Sequence, residues 1–218
     1  MQFSDRTIEI LKNFSAINPG IQFRSGNVLK TITSDKTLFA QASLQEDVEQ
    51  DFCIYDLSRF LGIISTFQGP IMNLKDSHVL ISGKLGRVSY KYARPETIIL
   101  PPEKDINLDT TNACYFPLTV DNLKNIFSIS GIMGLPDITI CGREGQLSIR
   151  VNNAKEMLNS PDSDCFQIDL GPIDREFECR LKKDTMKILP DNYDVTVTDN
   201  VVMFKSNDLT YWMACETK

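Results

Sequence analysis

The sequence predicts an α+β fold made of two similar halves, in which a few short helices pack on large antiparallel sheets. Three observations lead to this prediction. Only four windows have the apolar spacing of an amphipathic helix, and most of the remaining chain reads as strand. The order of helices and strands in residues 4–92 also recurs in residues 119–215. The 218 residues are enough for one large or two small domains.

The helix windows are short and have recognisable ends. Ser4 is the expected N-cap of the first window, which extends to residue 17. The second starts at Asp56 and the third at Thr119. A fourth helix is predicted from about Arg180 to Leu189, before Pro190, because proline does not continue a helix.

The strands are predicted to form antiparallel hairpins and meanders. Runs 21–24 and 28–32 flank a short loop at 25–27, and runs 138–141 and 146–149 flank residues 142–145. Runs 193–198 and 201–204 form a third pair, followed by a strand over 209–213. Helices are expected to cover one face of each sheet and to leave the other face to solvent.

A duplication explains the repeated order of elements. The tripeptide Leu11-Lys12-Asn13 recurs as Leu123-Lys124-Asn125, 112 residues later, and Gly26 and Gly145 are 119 residues apart. The segment between the halves is rich in proline and charge, which is typical of an extended connection. We therefore predict a first domain over residues 1–93, a crossover over 94–114 and a second domain over 115–218.

The residues needed for catalysis or metal binding are scarce. His78 is the only histidine, and the six cysteines contain no C-x-x-C pair, so neither a catalytic His nor a zinc site is predicted. The cysteines are expected to be free buried thiols. No phosphate loop is present either. The sequence therefore predicts a binding protein without a catalytic residue, metal or cofactor.

The sequence also lacks features of membrane insertion or export. The apolar stretch from Phe60 to Lys75 is interrupted by polar residues, glycines and a proline, and is too short to span a bilayer. The N-terminus has no basic run followed by an apolar core, which a secretory signal would require. We expect the protein to stay inside a cell.

The distribution of charge is more informative than its sum. The chain has 23 basic and 29 acidic residues, and this net charge of −6 argues against a polyanionic partner. The four helix windows nevertheless contain eight basic and five acidic residues, a net charge of +3, whereas the remainder has 15 and 24, a net charge of −9. The candidate basic residues for contact with nucleic acid are Lys12, Arg59, Lys124, Arg180, Lys182, Lys183 and Lys187. Lys183 and Lys187 would share one face of the fourth helix.

Two blocks in the first half resemble a known family. They are residues 11–21, LKNFSAINPGI, followed by Ser25-Gly26, and residues 54–65, which read IYDL, two further residues and FLGIIS. Both resemble the sliding clamp of T-even-type bacteriophages, the DNA polymerase processivity factor. The likeness continues more loosely through the crossover and the Phe116-Pro117-Leu118 segment, and it is lost from Asn153 to Asp174.

The resemblance implies a ring of three subunits whose helices line a channel around duplex DNA and whose sheets form the outer wall. Contacts to phosphates alone would make the binding independent of sequence. The family implies no enzymatic activity. Its partners would be duplex DNA, a phage DNA polymerase tethered by a short peptide, an ATP-driven clamp loader and phage transcription factors. The implied location is the cytoplasm of the infected bacterial host.

The resemblance also implies an apolar pocket for partner peptides beside the crossover. Ile98, Ile99 and Leu100 lie in that segment, and at least one of them is expected to face outward. Trp212 is a candidate for a second wall. The alternative is that the three aliphatic side chains are simply buried against the domains. The sequence does not identify the edge strands that would join subunits.

Two other functions compete with a clamp. A β-rich oligomeric protein-binding scaffold, or a virion structural protein without DNA binding, would show the same sheets. An enzyme would have to use His78 or a cysteine. The mass of the native assembly separates these alternatives, because a trimeric ring would have a mass of about 74 kDa, three times 24.7 kDa.

Overall fold

The computed structural model describes residues 1–84, 86–104, 106–160 and 163–216, and the chain divides into two compact units. The first consists of Met1–Asp105 with Asn207–Thr210, and the second of Ile106–Ser206 with Tyr211–Lys218. The division between them falls inside the predicted crossover. Within the described ranges, no helix is long and apolar enough to cross a membrane.

Between residues 1 and 104, leaving out residue 85, the first unit has two helices and seven strands. In its sheets β1 pairs with β4, β2 pairs with β3, and β5, β6 and β7 form a three-stranded sheet, all antiparallel. A 3₁₀ turn covers Pro95–Thr97. The elements are α1 (Asp5–Ile17), β1 (Ile21–Phe23), β2 (Gly26–Ile32), β3 (Leu38–Val48), β4 (Phe52–Ile54), α2 (Leu57–Ser65), β5 (Ile71–Leu74), β6 (His78–Gly83) and β7 (Gly86–Lys91).

The second unit contains two helices and the remaining strands. One sheet has the order β11-β10-β9-β12, and another has the order β15-β14-β13-β8. A 3₁₀ turn covers Lys183–Thr185. The elements are β8 (Cys114–Leu118), α3 (Val120–Met133), β9 (Asp137–Arg143), β10 (Gln146–Asn152), α4 (Ala154–Asn159), β11 (Cys165–Pro172), β12 (Phe177–Lys182), β13 (Tyr193–Val197), β14 (Val201–Lys205) and β15 (Leu209–Ala214), whose first residues belong to the first unit.

Three predicted helices are confirmed, and each begins at a side-chain cap. Ser4, Asp56 and Thr119 accept hydrogen bonds from backbone N–H groups three residues later. Such caps satisfy donors that the first helical turn leaves unpaired. At the other end of α3, Gly134 adopts a φ of 66°, the left-handed conformation that commonly ends helices.

The duplication is visible in the order of elements. In the first unit α1 is followed by four strands, α2 and three strands. In the second, α3 is followed by four strands, a 3₁₀ turn and three strands, with α4 inserted between β10 and β11. Leu11 and Leu123 are both fully buried, and Lys12 and Lys124 are both exposed. The repeated tripeptide therefore marks equivalent positions.

The predicted fourth helix over residues 180–189 is wrong. Residues 177–182 form β12, in which Cys179 and Leu181 are buried while Arg180 and Lys182 point to the other face. This alternation is the two-residue period of a strand, and pairing with β9 satisfies its backbone. A single 3₁₀ turn occupies the position of α2, and the actual fourth helix, α4, lies in the segment without family resemblance.

The first predicted hairpin is also wrong, whereas the second and third are confirmed. Strand β1 pairs with β4 rather than with β2, and the Phe23 ring stacks on Phe52 with centroids 4.6 Å apart. That buried aromatic contact stabilises the non-local pairing. Between β9 and β10 a tight turn uses positive φ at Glu144 and Gly145, as hairpins require.

The expectation of six free buried thiols is only partly correct. Cys179 and Cys215 form a disulfide with their Cα atoms 5.6 Å apart, and Cys165 is exposed. A hydrogen bond of 2.8 Å from the Glu216 N–H to the Arg180 carbonyl brings the C-terminal segment to β12. The fold therefore brings together two cysteines that are 36 residues apart, and the spacing of cysteines in the sequence does not reveal this disulfide.

The carboxylate of Glu46 in β3 holds the N-terminus of α1. It accepts hydrogen bonds of 2.6 Å from both the Ser4 N–H and the Thr7 hydroxyl. Burial raises the pKa of this carboxyl, but the bonds from Thr7 and Ser4 outweigh it, so the pKa lies below its ordinary value. A carboxyl whose pKa is lower in the folded state stabilises the fold at pH values above its unfolded pKa. This contribution is lost as the pH falls through the folded pKa.

We therefore expect Glu46→Gln to lower the free energy of unfolding by about 1 kcal/mol at neutral pH. The difference from the parent chain should shrink as pH falls through and below 4.5, the ordinary value for this carboxyl. Urea unfolding at several pH values measures both quantities. A penalty that is constant with pH would show that the charge of Glu46 does not stabilise α1.

Candidate functional sites

The exposed face of α1 is not basic. Asp5, Glu9, Lys12 and Ala16 form its exposed stripe, so two acids surround the single lysine. Arg6 is engaged with Asp208 at 2.8 Å and with Glu9 at 2.7 Å. The hydrogen bond to Asp208 raises the pKa of the Arg6 guanidinium above its ordinary value. Lys12 is therefore the only basic residue of this stripe.

Helix α2 also presents one cation. Arg59 lies on its exposed face among Ser58, Gly62 and Ser65, while Phe60 is buried. The small neighbours leave the guanidinium accessible without a bulky side chain beside it. Arg59 is therefore accessible to a ligand, and its role in contact with nucleic acid stays a prediction.

In the second unit, Lys124 and Lys183 come to the same face of α3. A Cβ atom built on Gly131 would lie 3.8 Å from the Lys183 Nζ, so this ammonium group rests against the helix. Lys124 and Gly131 are seven residues apart, which places them on one side of the helix roughly 10 Å from each other. The 3₁₀ turn, which takes the place of α2 in the repeated order of elements, thus supplies a cation to this face of α3.

Arg180 and Lys182 do not join this face. They are paired in register with Thr139 and Asp137 of β9, and their side chains lie on the polar face of the sheet. Lys182 forms an ion pair with Asp137, which is 1% exposed. The prediction that Lys183 and Lys187 share one face of a fourth helix is wrong, because a 3₁₀ turn covers Lys183–Thr185 in place of that helix. Lys187 lies exposed beyond the 3₁₀ turn.

A cavity of about 400 Å³ lies beside the crossover in the first unit. Cavities of this size hold one or two side chains of a ligand. Ile99 and Tyr55 are 43% and 64% exposed at this site, so apolar surface is available to a partner. The lining residues are Ile17, Asn18, Pro19, Gly20, Ser34, Tyr55, Asp56, Thr97, Ile98 and Ile99.

Asn18 and Gly20 fix the crossover at this cavity. The buried Asn18 amide donates hydrogen bonds of 3.1 Å to the Ile32 carbonyl and 3.0 Å to the Ile99 carbonyl. Its oxygen accepts one of 3.0 Å from the Gly20 N–H. A Cβ atom on Gly20 would lie 2.6 Å from Ile98 Cγ2, so only glycine permits this approach. The Asn-Pro-Gly segment of the first family block is thus a structural element of the cavity.

The predicted partner residues have different surroundings. Ile98 and Ile99 line the cavity, whereas Leu100, 39% exposed, is not among its lining residues. The structure contradicts the alternative that all three aliphatic side chains are buried, because Ile99 and Leu100 are exposed. Trp212 is half-buried in β15 of the second unit, and its role in partner binding stays a prediction. Tyr55 was missed, although an aromatic residue directly after the apolar run 52–54 is a signal that could have identified it.

Comparisons with known proteins agree with the resemblance. Residues 4–82 match the family model described as DNA polymerase processivity factor. The sliding clamp of Vibrio phage KVP40 is 26% identical over 222 residues, covering 99% of both chains. The sliding clamp of Enterobacteria phage T4 is 27% identical over 228 residues, covering 99% of this chain and 97% of the relative.

Two solved structures have the same fold as this chain. Proliferating Cellular Nuclear Antigen from Entamoeba histolytica matches with a TM-score of 0.68 at 13% identity, over 97% of this chain and 95% of that one. The DNA polymerase III beta chain from Streptococcus pneumoniae matches with a TM-score of 0.70 at 10% identity, over 99% of this chain and 64% of that one. These matches confirm the predicted α+β architecture of duplicated units.

Proposed function

We propose that this chain, which belongs to the sliding clamp family of DNA polymerase processivity factors, forms a ring around duplex DNA and tethers a replicative DNA polymerase. The observation that carries the proposal is the similarity to phage sliding clamps over 99% of the chain. A scaffold or virion protein would not account for this match. The duplication also supports a ring, because a closed ring can be built from equivalent, regularly spaced units.

We propose that three copies close the ring by pairing the edge strands β7 and β11. Along β3 in the first unit, the Ser43 N–H donates a hydrogen bond of 2.8 Å to the Asp208 carbonyl, at the start of β15. In the repeated order of elements, β11 is the counterpart of β3, and β7 is the counterpart of β15. The strands β11 and β7 of neighbouring copies would therefore contact each other as β3 contacts the start of β15. Within the described residues β7 and β11 are each at the edge of a sheet. Exposed edges of this kind favour pairing with another chain.

The charges of the two edge strands are complementary. Arg87 and Lys91 are exposed on β7. Asp169 is exposed on β11, and Asp164 and Asp174 flank that strand. Opposite charges across an interface favour the correct partner and suppress incorrect ones. The pairing of β7 with β11 would therefore be favoured over pairing of either strand with itself.

The mass of the assembly in solution tests this proposal. We expect about 74 kDa for the parent chain, three times 24.7 kDa, and monomers for Arg87→Glu with Lys91→Glu. Lys36→Glu with Lys75→Glu is the control, because it makes the same charge change at exposed lysines outside β7. A monomeric parent chain would contradict the ring, and an unchanged trimer in the β7 variant would contradict only the proposed interface.

The remaining roles follow from the ring. Lys12, Arg59, Lys124 and Lys183 would contact phosphates in the channel without reading bases. The cavity beside the crossover would hold an apolar anchor of the polymerase, because a small hydrophobic pocket suits short peptide motifs. We also propose that the chain has no enzymatic activity, that an ATP-driven loader opens the ring, that phage transcription factors use the same cavity, and that the protein works in the cytoplasm of an infected bacterium.

A further inference from the structure

Three arginines surround a cavity of about 240 Å³ on the polar face of the β11-β10-β9-β12 sheet. Arg150 of β10 and Arg180 of β12 lie on either side of Thr139 in β9, which is paired in register with both. Since neighbouring strands are about 5 Å apart, the Cα atoms of these arginines are roughly 10 Å apart. Arg143, at the end of β9, lines the same cavity. We call this site the arginine cavity.

Helix α4 forms one wall of the arginine cavity. The Ala154 N–H donates a hydrogen bond of 2.9 Å to the Asp137 carboxylate, which fixes the helix on the polar face. Met157 and Leu158 line the cavity, and Leu158 is 87% exposed. In the first unit the corresponding connection, between β2 and β3, is only the turn of residues 33–37. The cavity is therefore a feature of the second unit.

The charges in the arginine cavity are not balanced. Arg143 pairs with Glu178, and the Arg150 Nε donates a hydrogen bond of 2.7 Å to the uncharged Gln167 side chain. Among the described residues, no carboxylate forms a salt bridge with Arg150 or Arg180, and the buried Arg180 Nε has no hydrogen-bond partner. A buried guanidinium N–H without an acceptor is unfavourable. With three arginines and one glutamate, the lining has a net charge of +2.

We propose that the arginine cavity binds a carboxylate side chain from an acidic segment of a partner protein. The planar guanidinium groups match a carboxylate in geometry and charge. An apolar side chain next to that carboxylate would contact Met157 and Leu158. The cavity of about 240 Å³ has room for a single carboxylate beside the apolar Met157 and Leu158 side chains, and this combination fits a peptide better than a continuous phosphate backbone.

This site goes beyond the proposed ring function. Its arginines lie on the polar face of the sheet, whereas Lys183 rests against α3, which packs on β10 through its own buried residues Leu123 and Ile126. A partner in the arginine cavity therefore leaves Lys124 and Lys183 accessible. The second unit could bind an acidic protein segment and duplex DNA at the same time.

A binding measurement with a defined probe tests the proposal. The probe is a fluorescein-labelled peptide rich in glutamate with one central leucine, and its partner probe carries glutamine in place of every glutamate. We expect the full-length chain to bind the acidic peptide with a Kd below about 1 mM. Arg180→Met should weaken this binding at least tenfold, and the glutamine peptide should not bind.

Two controls separate recognition from folding. Lys155→Met removes an exposed cation of α4 that does not line the cavity, so peptide affinity should be unchanged. Arg180→Met should keep or raise the melting temperature, because it removes a buried donor without a partner, whereas a purely structural Arg180 would give a lower one. Equal peptide affinity in Arg180→Met and the parent chain would overturn the proposal. The proposal would also be overturned if inorganic phosphate or duplex DNA displaced the labelled peptide as effectively as the unlabelled peptide does.

Discussion

Replacing Lys124 and Lys183 by glutamate should reduce polymerase stimulation on loaded DNA at least tenfold, about 1.4 kcal/mol. The two lysines share one face of α3, and three copies of the chain would present three such pairs to the duplex. Reversing their charge replaces phosphate attraction by repulsion in a channel where the DNA cannot move away. Primer extension with the cognate polymerase and loader measures the effect.

The control for this variant is Lys155→Glu with Lys205→Glu. Both lysines are exposed in the second unit, on α4 and at the end of β14, so the change in net charge is the same. The control should stimulate the polymerase like the parent chain. Because stimulation also requires the ring, native mass should first establish that both variants remain trimers. Full stimulation by the Lys124 and Lys183 variant would show that α3 does not face the DNA.

Ile99→Asp should weaken binding of a polymerase C-terminal peptide at least tenfold, about 1.4 kcal/mol. Ile99 is 43% exposed and lines the cavity beside the crossover. An aspartate there would put a charge where an apolar anchor of the peptide has to be desolvated. The Asn18 amide bonds the Ile99 carbonyl rather than its side chain, so the crossover should stay in place. Fluorescence anisotropy of the labelled peptide gives the affinity.

Leu100→Asp is the matched control. Leu100 is the next residue, similarly exposed, and does not line the cavity. We expect its affinity for the peptide to stay within twofold of the parent chain. If Leu100→Asp weakened binding and Ile99→Asp did not, the peptide would have to bind the opposite side of the crossover.

Local sequence patterns were sufficient for the parts of the fold that are determined locally. Ser4, Asp56 and Thr119 identified three helix starts, because capping needs only a side chain and a nearby N–H group. The short loop at residues 142–145 likewise identified a hairpin, because a tight turn depends on the few residues that form it. The family blocks identified the clamp architecture.

Long-range pairing determined what the sequence did not predict. Residues 180–189 contain spacings compatible with a helix, but residues 177–182 also alternate like a strand, and pairing with β9 decides between the two. The consequence concerns the candidate site, because Arg180 and Lys182 lie on the polar face of the β11-β10-β9-β12 sheet and not on a fourth helix. Gly20 likewise had no recognisable role until Ile98, far along the chain, was placed against it.

Retention on circular and linear DNA tests the central claim most directly. The chain is loaded onto a nicked circular duplex, separated from free protein, and half of the sample is cut once by a restriction enzyme. A closed ring held by topology should stay on the circle and leave the cut DNA by sliding off its ends. Equal retention on both forms would contradict the account, because it would mean that direct contacts rather than encirclement hold the protein on DNA.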